Sequence, residues 1–168
     1  MGQKIARNGT ENGEIIRYVD PCVAHFISRF DSISTCREII EETEIKKSKI
    51  TFIPLNNNTN RKKVGGSHWS LLVYRKIGTK GEFLHFDPIK GMNRNTAQEM
   101  VNKLNKIEKT SFLKKVTEID GPRQNNGYDC GIYTILMIRK ILEKLRMNEY
   151  IESIIMLQST IITCQLIL

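Results

Sequence analysis

The sequence predicts a single α+β domain, and three observations support this fold class. The chain has 168 residues, of which 40% are apolar, and this suits one globular domain with its own core. Apolar runs of strand length, rich in β-branched and aromatic residues, lie in the middle of the chain. Segments in which apolar residues recur at helical spacing lie before, between and after these runs.

The first part of the chain predicts a lead-in followed by two helices. Residues 1–16 are polar and rich in Gly and Asn, so we expect a disordered lead-in without a signal peptide. Asp20-Pro21 predicts the start of a first helix, because Pro is tolerated in the first turn. A second helix is expected over residues 34–43. The folded domain is therefore expected over residues 17–146.

The middle of the chain predicts strands, an exposed loop and a hairpin. Residues 49–55 form a strand candidate, and residues 56–66, rich in Asn, Lys and Gly, predict a mobile loop. Residues 67–74 and 82–87 are two more strand candidates, separated by a turn sequence, Gly78-Thr79-Lys80-Gly81. A hairpin brings the start of one strand beside the end of the other. His68 and Asp87 are therefore expected to be neighbours in space.

The last part of the chain predicts a helix over residues 95–107, a short strand over 116–119 and a long helix from Cys130 to about Arg146. The first half of the long helix is apolar nearly all round, which predicts a central buried helix packed against the sheet. Residues 147–168 form a divergent tail. Polar residues interrupt its apolar runs, so we favour a packed helix or an irregular end over a membrane anchor.

Cys130 is the candidate nucleophile because a polar loop ends on Asp129-Cys130-Gly131 and a helix follows at once. Free N–H groups and the macrodipole at a helix N-terminus favour the thiolate form of a cysteine. Asp129 suits the N-cap position, and Gly131 leaves room for a reacting carbonyl. Gln124 could donate to an oxyanion together with the backbone N–H of Cys130. The alternative is an inert, buried cysteine at the start of a core helix.

A thiol nucleophile needs a base, and the base needs a group that orients it. His68 and Asp87 meet this requirement if the predicted hairpin forms. His85 competes for the role of base, but its alternating position within a strand favours a packed or half-exposed histidine. His25 lies far upstream in a helical pattern and is a weaker candidate.

These residues together resemble the active-site pattern of the Ulp/sentrin-specific cysteine proteases, which cleave ubiquitin-like modifiers. The resemblance covers about residues 17–146 and looks closest to the deneddylase branch of the family. It implies a papain-like fold of the Ulp type. The implied roles follow the family's order, with the base at His68, the orienting carboxylate at Asp87, the oxyanion donor at Gln124 and the nucleophile at Cys130. Trp69 matches the tryptophan that covers the channel for the modifier's Gly-Gly tail; an ordinary core aromatic is the alternative.

Two regions depart from the family's pattern. Nothing in the chain matches the Trp-Leu-Asn-Asp-like motif near the family's N-terminus, so we expect an N-terminally truncated protease domain with poor affinity for its modifier, visible mainly in KM. Residues 147–168 also lack a counterpart in the family.

Composition argues against several other classes of protein. The net charge of +8 and the pI of about 9.4 predict attraction to acidic surfaces, but the basic residues are scattered without the aromatics of a nucleic-acid reader, so we expect no nucleic-acid partner. The four cysteines show no C-x-x-C pair, which favours a reducing cytoplasmic or nuclear compartment. Histidines and cysteines do not cluster at ligand spacing, so no metal and no cofactor is expected.

The resemblance to the family thus implies a monomeric cysteine protease that cleaves after the C-terminal Gly-Gly of a ubiquitin-like modifier. A Nedd-type modifier and its conjugates are the expected partners, with no membrane involved. A SUMO-specific protease, a non-catalytic modifier-binding module and a basic nucleic-acid-binding domain are the alternatives.

Overall fold

The fold is built on a six-stranded mixed sheet in a computed structural model, which describes residues 6–11, 14–60, 65–108 and 115–146. The strands are β1 (Ala6–Glu11), β2 (Glu14–Val19), β3 (Ile50–Asn56), β4 (Trp69–Ile77), β5 (Lys80–Phe86) and β6 (Val116–Ile119). They lie side by side in chain order. The β2–β3 and β5–β6 pairs are parallel and the other three are antiparallel.

Helices cover both faces of this sheet. The described α-helices are α1 (Pro21–Arg29), α2 (Ile33–Thr43), α3 (Arg94–Glu108) and α4 (Cys130–Arg146), with a short 3-10 helix at Ile45–Lys47. Helices α1 and α2 both contact α3, and α4 contacts β4. Parallel strands need a long connection between them, which usually contains a helix. Helices α1 and α2 lie in the connection from β2 to β3, and α3 lies in the connection from β5 to β6.

The alternation of side chains along the strands divides the core in two. Ile53, Leu55 and Leu72 belong to the apolar cluster beneath α1–α3. Phe52 and Leu71 belong to a second cluster that includes residues of α4. Successive strand residues point to opposite faces, so the sheet lies between the α1–α3 layer and α4. The predicted α+β class, with the helix that begins at Cys130 packed against a mixed sheet, is confirmed.

Two helix starts show why these segments become helical. The Asp20 carboxylate accepts a hydrogen bond from the backbone N of Cys22 at 2.8 Å, and Pro21 opens α1, as the sequence predicts. The Ser32 hydroxyl accepts from the backbone N of Thr35 at 3.3 Å and caps α2 in the same way.

The predicted disordered lead-in is wrong for residues 6–11 and 14–16, which lie in β1 and β2. The two strands pair antiparallel from Ala6 opposite Val19 to Glu11 opposite Glu14. The sequence between them, Asn12-Gly13, is a preferred two-residue connection of a β-hairpin. This local signal outweighs the polar composition on which the prediction of disorder was based. Residues 1–5 lie outside the described ranges.

Helix α4 is buried on its sheet-facing side only, so the prediction of a central buried helix is wrong for its other side. Its sheet-facing residues recur at helical spacing and are buried: Cys130, Thr134, Met137 and Ile141. On the other side Ile132 is 57% exposed and Ile135 is 67% exposed. The sheet covers one side of the helix. On the other side, no described residue shields Ile132 and Ile135 from most of the solvent.

Residues 147–168, predicted to form a divergent tail, lie outside the described ranges. Among the helices that the structure describes, none combines the length and the apolar character needed to cross a bilayer.

Candidate active site

The β4–β5 hairpin brings His68 and Asp87 into contact. His68 directly precedes β4 and Asp87 directly follows β5, and the two strands pair with Leu71 opposite Phe86. Nε2 of His68 lies 2.6 Å from Oδ1 of Asp87, and their side chains are 0% and 2% exposed. The predicted proximity of the two residues is confirmed, and the contact is shielded from water.

Asp87 is held by two backbone amides as well as by the imidazole. Oδ1 also accepts from the backbone N of Ile89 at 3.1 Å, and Oδ2 accepts from the backbone N of Asn93 at 2.8 Å. Burial raises the pKa of Asp87, but the hydrogen bonds from His68, Asn93 and Ile89 and the charge of His68 outweigh it, so the pKa lies below its ordinary value. The carboxylate is therefore ionised at neutral pH and acts as an acceptor.

An ionised Asp87 fixes the tautomer of His68. Since the carboxylate can only accept, Nε2 of His68 carries the hydrogen that it donates. In the neutral imidazole, Nδ1 is then the ring atom with a free lone pair. It is buried and has no hydrogen-bond partner in the described part of the chain, so the thiol of Cys130 is not bonded to it here. Catalytic hydrogen bonds are often looser in the absence of substrate.

The loop before α4 presents Cys130 at the first turn of the helix. Cys130 is 5% exposed, and the backbone N of Tyr133 donates to the carbonyl of Asp129 at 3.0 Å to begin the helical ladder. Asn126 braces the loop: its Oδ1 accepts from the backbone N of Tyr128 at 3.1 Å and of Asp129 at 3.0 Å, and its Nδ2 donates to Oδ2 of Asp129 at 2.6 Å. These bonds fix the conformation in which the cysteine enters the helix.

Gln124 ties the cysteine loop to the residue that follows Asp87. Its backbone N donates to the carbonyl of Pro88 at 3.1 Å. Its side-chain Nε2 donates to the carbonyl of Asn126 at 2.6 Å, while its Oε1 is buried and has no partner within the described ranges. A side-chain amide carries two N–H groups, so one donor besides that bond is left for an oxyanion.

Trp69 and a small cleft connect the two halves of the site. The cleft is lined by residues from the end of β5 and just after it, from the loop after β6 and from α4, namely Phe86, Asp87, Pro88, Gly121, Pro122, Tyr133, Thr134 and Met137. Trp69 is half-buried, and its ring Cδ1 lies 3.9 Å from the position that a Cβ on Gly131 would occupy. The neighbour of His68 in sequence is therefore close to the neighbour of Cys130.

His85 is directed away from α4. Its neighbours Leu84 and Phe86 belong to the cluster beneath α4, so His85 faces the α1–α3 layer. It is fully buried, with Nδ1 2.9 Å from Oε1 of Glu118 and Nε2 3.0 Å from Oγ of Ser70. The prediction that His85 is a packed histidine is confirmed. His25, which is partly buried in α1, also belongs to the opposite layer.

Two asparagines at the site were not foreseen from the sequence. Asn93 donates to Asp87 through its backbone, as described above. Oδ1 of Asn57 accepts from the backbone N of Ser67 at 2.8 Å and of His68 at 3.1 Å, which fixes the segment just before β4. Both lie in polar loops, where composition alone does not separate a bonded side chain from a solvated one.

Comparison with known proteins places this site in a family. Residues 28–159 match the family model described as "Ulp1 protease family, C-terminal catalytic domain". The chain is 30% identical over 129 residues to NEDD8-specific protease 1 of Arabidopsis thaliana, covering 76% of this chain and 56% of the relative. It is also 30% identical over 147 residues to sentrin-specific protease 8 of Rattus norvegicus, covering 87% and 66%. The chain thus spans about three fifths of the length of these curated relatives.

A solved structure resembles the fold as well. The effector protein XopD of Xanthomonas campestris, bound to ubiquitin, superposes with a TM-score of 0.61 at 19% identity, covering 82% of this chain and 68% of that chain. This likeness concerns the fold alone. Because the family model matches well over half of the residues, the chain belongs to the Ulp1 protease family.

Proposed function

We propose that this chain is a cysteine protease domain that hydrolyses the bond after the C-terminal Gly-Gly of a ubiquitin-like modifier, with a Nedd-type modifier as the substrate. The observation that carries the proposal is the buried 2.6 Å contact between Nε2 of His68 and Asp87. It leaves Nδ1 of His68 unpartnered among the described residues, on a site that also contains the helix start at Cys130.

The reaction follows from these groups. Nδ1 of His68 removes the proton from the Cys130 thiol, and the thiolate attacks the carbonyl carbon of the terminal glycine. The oxyanion accepts hydrogen bonds from the backbone N–H of Cys130 and from the side-chain amide of Gln124. The C–N bond breaks as His68 gives its proton to the leaving amine. Water, deprotonated by His68, then hydrolyses the thioester and releases the modifier.

Asp87 has two tasks in this sequence. It keeps the hydrogen of His68 on Nε2, so that Nδ1 can accept the thiol proton. It also stabilises the imidazolium that forms, because the charges meet at 2.6 Å in a shielded place.

The choice of substrate rests on the relatives and on Trp69. The two relatives are named as proteases specific for NEDD8 and for sentrin, which supports a modifier of this class. Trp69 lies against Gly131, beside the nucleophile. The indole ring of Trp69 beside Gly131 supports a narrow channel for the modifier's C-terminal tail. Such a channel admits glycine residues and obstructs residues with large side chains.

The partners and the compartment follow from the same proposal. The partners are the modifier and its conjugates. Cys22, Cys36 and Cys130 are free thiols in the structure, which supports a reducing cytoplasmic or nuclear compartment.

The decisive experiment uses a panel of modifiers, each carrying a C-terminal electrophile. The panel contains a Nedd-type modifier, SUMO and ubiquitin, and Cys130→Ala serves as the control. We expect a covalent adduct at Cys130 with the Nedd-type probe, located by peptide mass mapping. Preference for the SUMO probe would show a SUMO-specific protease instead. A reversible complex without an adduct would show a modifier-binding module, and no interaction at all would refute both.

A further inference from the structure

A chain of buried hydrogen bonds leads from the His68–Asp87 pair to the far side of β5. Nδ2 of Asn93 lies 2.9 Å from Oγ of Ser70 and 3.4 Å from the carbonyl oxygen of His68. Oγ of Ser70 lies 3.0 Å from Nε2 of His85, and Nδ1 of His85 lies 2.9 Å from Oε1 of Glu118. The residues Asn93, Ser70 and His85 are each 0% exposed. The mechanism proposed above uses none of these three side chains.

The donors and acceptors of this chain have one consistent direction. The Asn93 amide nitrogen can only donate, so the Ser70 oxygen accepts from it. The Ser70 hydroxyl hydrogen is then available to Nε2 of His85. The imidazole consequently carries its hydrogen on Nδ1 and donates to Glu118, whose Oε1 lies 3.9 Å from Nε of Arg94. Each buried donor between Asn93 and Glu118 therefore has an acceptor, while Oδ1 of Asn93 is buried without a partner among the described residues.

Asn93 contacts both members of the proposed catalytic pair. Its backbone N–H donates to Oδ2 of Asp87 at 2.8 Å, and its side-chain amide reaches the carbonyl of His68. It therefore connects the carboxylate to the main chain that carries the base. Small changes in such geometry reduce catalytic rates strongly, because proton transfer requires close alignment.

We infer that Asn93 is a positioning residue for the His68–Asp87 pair, and that Ser70 and His85 hold its side chain in place. This inference rests on the proposed function for its effect on turnover. Asn93 touches neither the substrate nor the thiol in this role. It sets the angle at which Nδ1 of His68 meets Cys130, and Ser70 with His85 prevents its amide from rotating.

The test compares two fully buried serines, one inside the hydrogen-bond chain and one outside it. Ser70→Ala breaks the chain at its middle. Ser48→Ala is the matched control: Ser48 is also 0% exposed, and its hydroxyl bonds to the carbonyl of Ile45 and to Oγ1 of Thr51, each at 2.6 Å. Ser70 pairs with Leu55 near the end of β3, whereas Ser48 lies just before the start of that strand, so the control is at the opposite end of β3. Each substitution removes one buried hydroxyl.

The measurements separate positioning from general stability. The kcat and KM of each variant are measured with a modifier-derived fluorogenic substrate, and melting temperature is measured in parallel. We expect Ser70→Ala to lower kcat about tenfold and to leave KM within about twofold. A tenfold loss of kcat is smaller than the loss of about a hundredfold that follows when a catalytic group is displaced by about 1 Å. Ser48→Ala should leave kcat within about twofold at a similar loss of melting temperature. Equal kcat values for the two variants would overturn the inference.

A second readout does not depend on turnover. Iodoacetamide labelling of Cys130 is followed against pH by peptide mass mapping, with the exposed Cys22 as an internal standard. If His68 is misplaced, the Cys130 thiol loses the base that accepts its proton, and the labelling curve of Cys130 should fall about tenfold relative to that of Cys22 in Ser70→Ala. An unchanged curve would overturn the inference.

Asn93→Ala provides an independent variant should Ser70→Ala fold poorly. It keeps the backbone bond to Asp87 and removes only the side-chain amide. We expect the same fall of the Cys130 labelling curve, and a curve like that of the unmodified chain would refute the role of the side chain. If the unmodified chain forms no adduct with any modifier probe, the proposed function fails, while the labelling comparison still tests the positioning of His68.

Discussion

Replacing Asp87 by Asn tests the site most directly, because both carboxylate oxygens are fully used. Oδ1 accepts from Nε2 of His68 and from the backbone N of Ile89, and Oδ2 accepts from the backbone N of Asn93. An asparagine has one oxygen and one NH2 group. If the NH2 replaces Oδ2, it faces the amide of Asn93; if it replaces Oδ1, it faces His68 and Ile89. Either orientation brings two donors together.

The cost of this conflict can be worked out for both stability and rate. One buried donor left without an acceptor lowers the free energy of unfolding by about 1–3 kcal/mol. For a chain of this size each kcal/mol lowers the melting temperature by about 2–4 °C. If the NH2 group faces His68, the imidazole hydrogen moves to Nδ1. Nδ1 can then no longer accept the proton of the Cys130 thiol. We therefore expect kcat to fall by a factor on the order of 10²–10⁴.

The assay measures kcat of Asp87→Asn on a modifier-derived fluorogenic substrate, beside the melting temperature. His85→Gln is the control, because His85 is equally buried in the same strand pair but faces the α1–α3 layer. Because His85 is proposed to hold Asn93 only through Ser70, and a glutamine retains a donor and an acceptor, the kcat of His85→Gln should fall by no more than about tenfold, as in Ser70→Ala. A larger loss in His85→Gln than in Asp87→Asn would show that the base is assigned to the wrong histidine.

Three further predictions follow from the same structure. Cys130→Ala should abolish turnover and leave the circular dichroism spectrum unchanged, because it removes one sulfur and no large core volume; an adduct in this variant, through Cys22 for example, would contradict the assignment. Gly66→Ala should lower the free energy of unfolding by about 1–3 kcal/mol in denaturant titrations, because Gly66 has φ +91° and an added Cβ would overlap Oδ1 of Asn56; an unchanged value would show that this segment is not fixed as described. The pKa of the Asp87 carboxyl is lowered on folding, so the carboxylate stabilises the fold at pH values above its ordinary pKa of 3.8, and this stabilisation is lost as the pH falls through the lowered pKa. In titrations of the free energy of unfolding between about pH 2 and pH 6, Asp87→Asn should lack this part of the acid dependence. The same acid dependence in both proteins would refute the prediction.

Local signals in the sequence predict most of the fold and the outline of the site. The hairpin turn between two strand patterns is sufficient to place His68 beside Asp87. The switch from a polar loop to an apolar helix locates the start of α4 at Cys130. These features depend on neighbours in the chain, so periodicity and turn chemistry capture them.

Other features depend on contacts that no local pattern encodes. The apolar sequence of α4 shows what the helix can bury, but not whether a partner covers Ile132 and Ile135. The hydrogen bonds of Asn57 and Asn93 arise only when the pairing of β3 with β4 and the turn after β5 bring these residues to the His68–Asp87 pair. The β1–β2 hairpin was missed for a different reason: its Asn12-Gly13 signal was present, and polar composition was given more weight.

The order of the strands has a consequence for how the protein is made. Every neighbouring pair in the sheet is also consecutive in the chain, so the sheet can grow as the chain leaves the ribosome. His68, Asp87 and Asn93 are all synthesised before Cys130, which opens the last helix that the structure describes. We therefore expect His68 and Asp87 to pair before Cys130 is synthesised, and the proposed active site to be complete only when α4 docks.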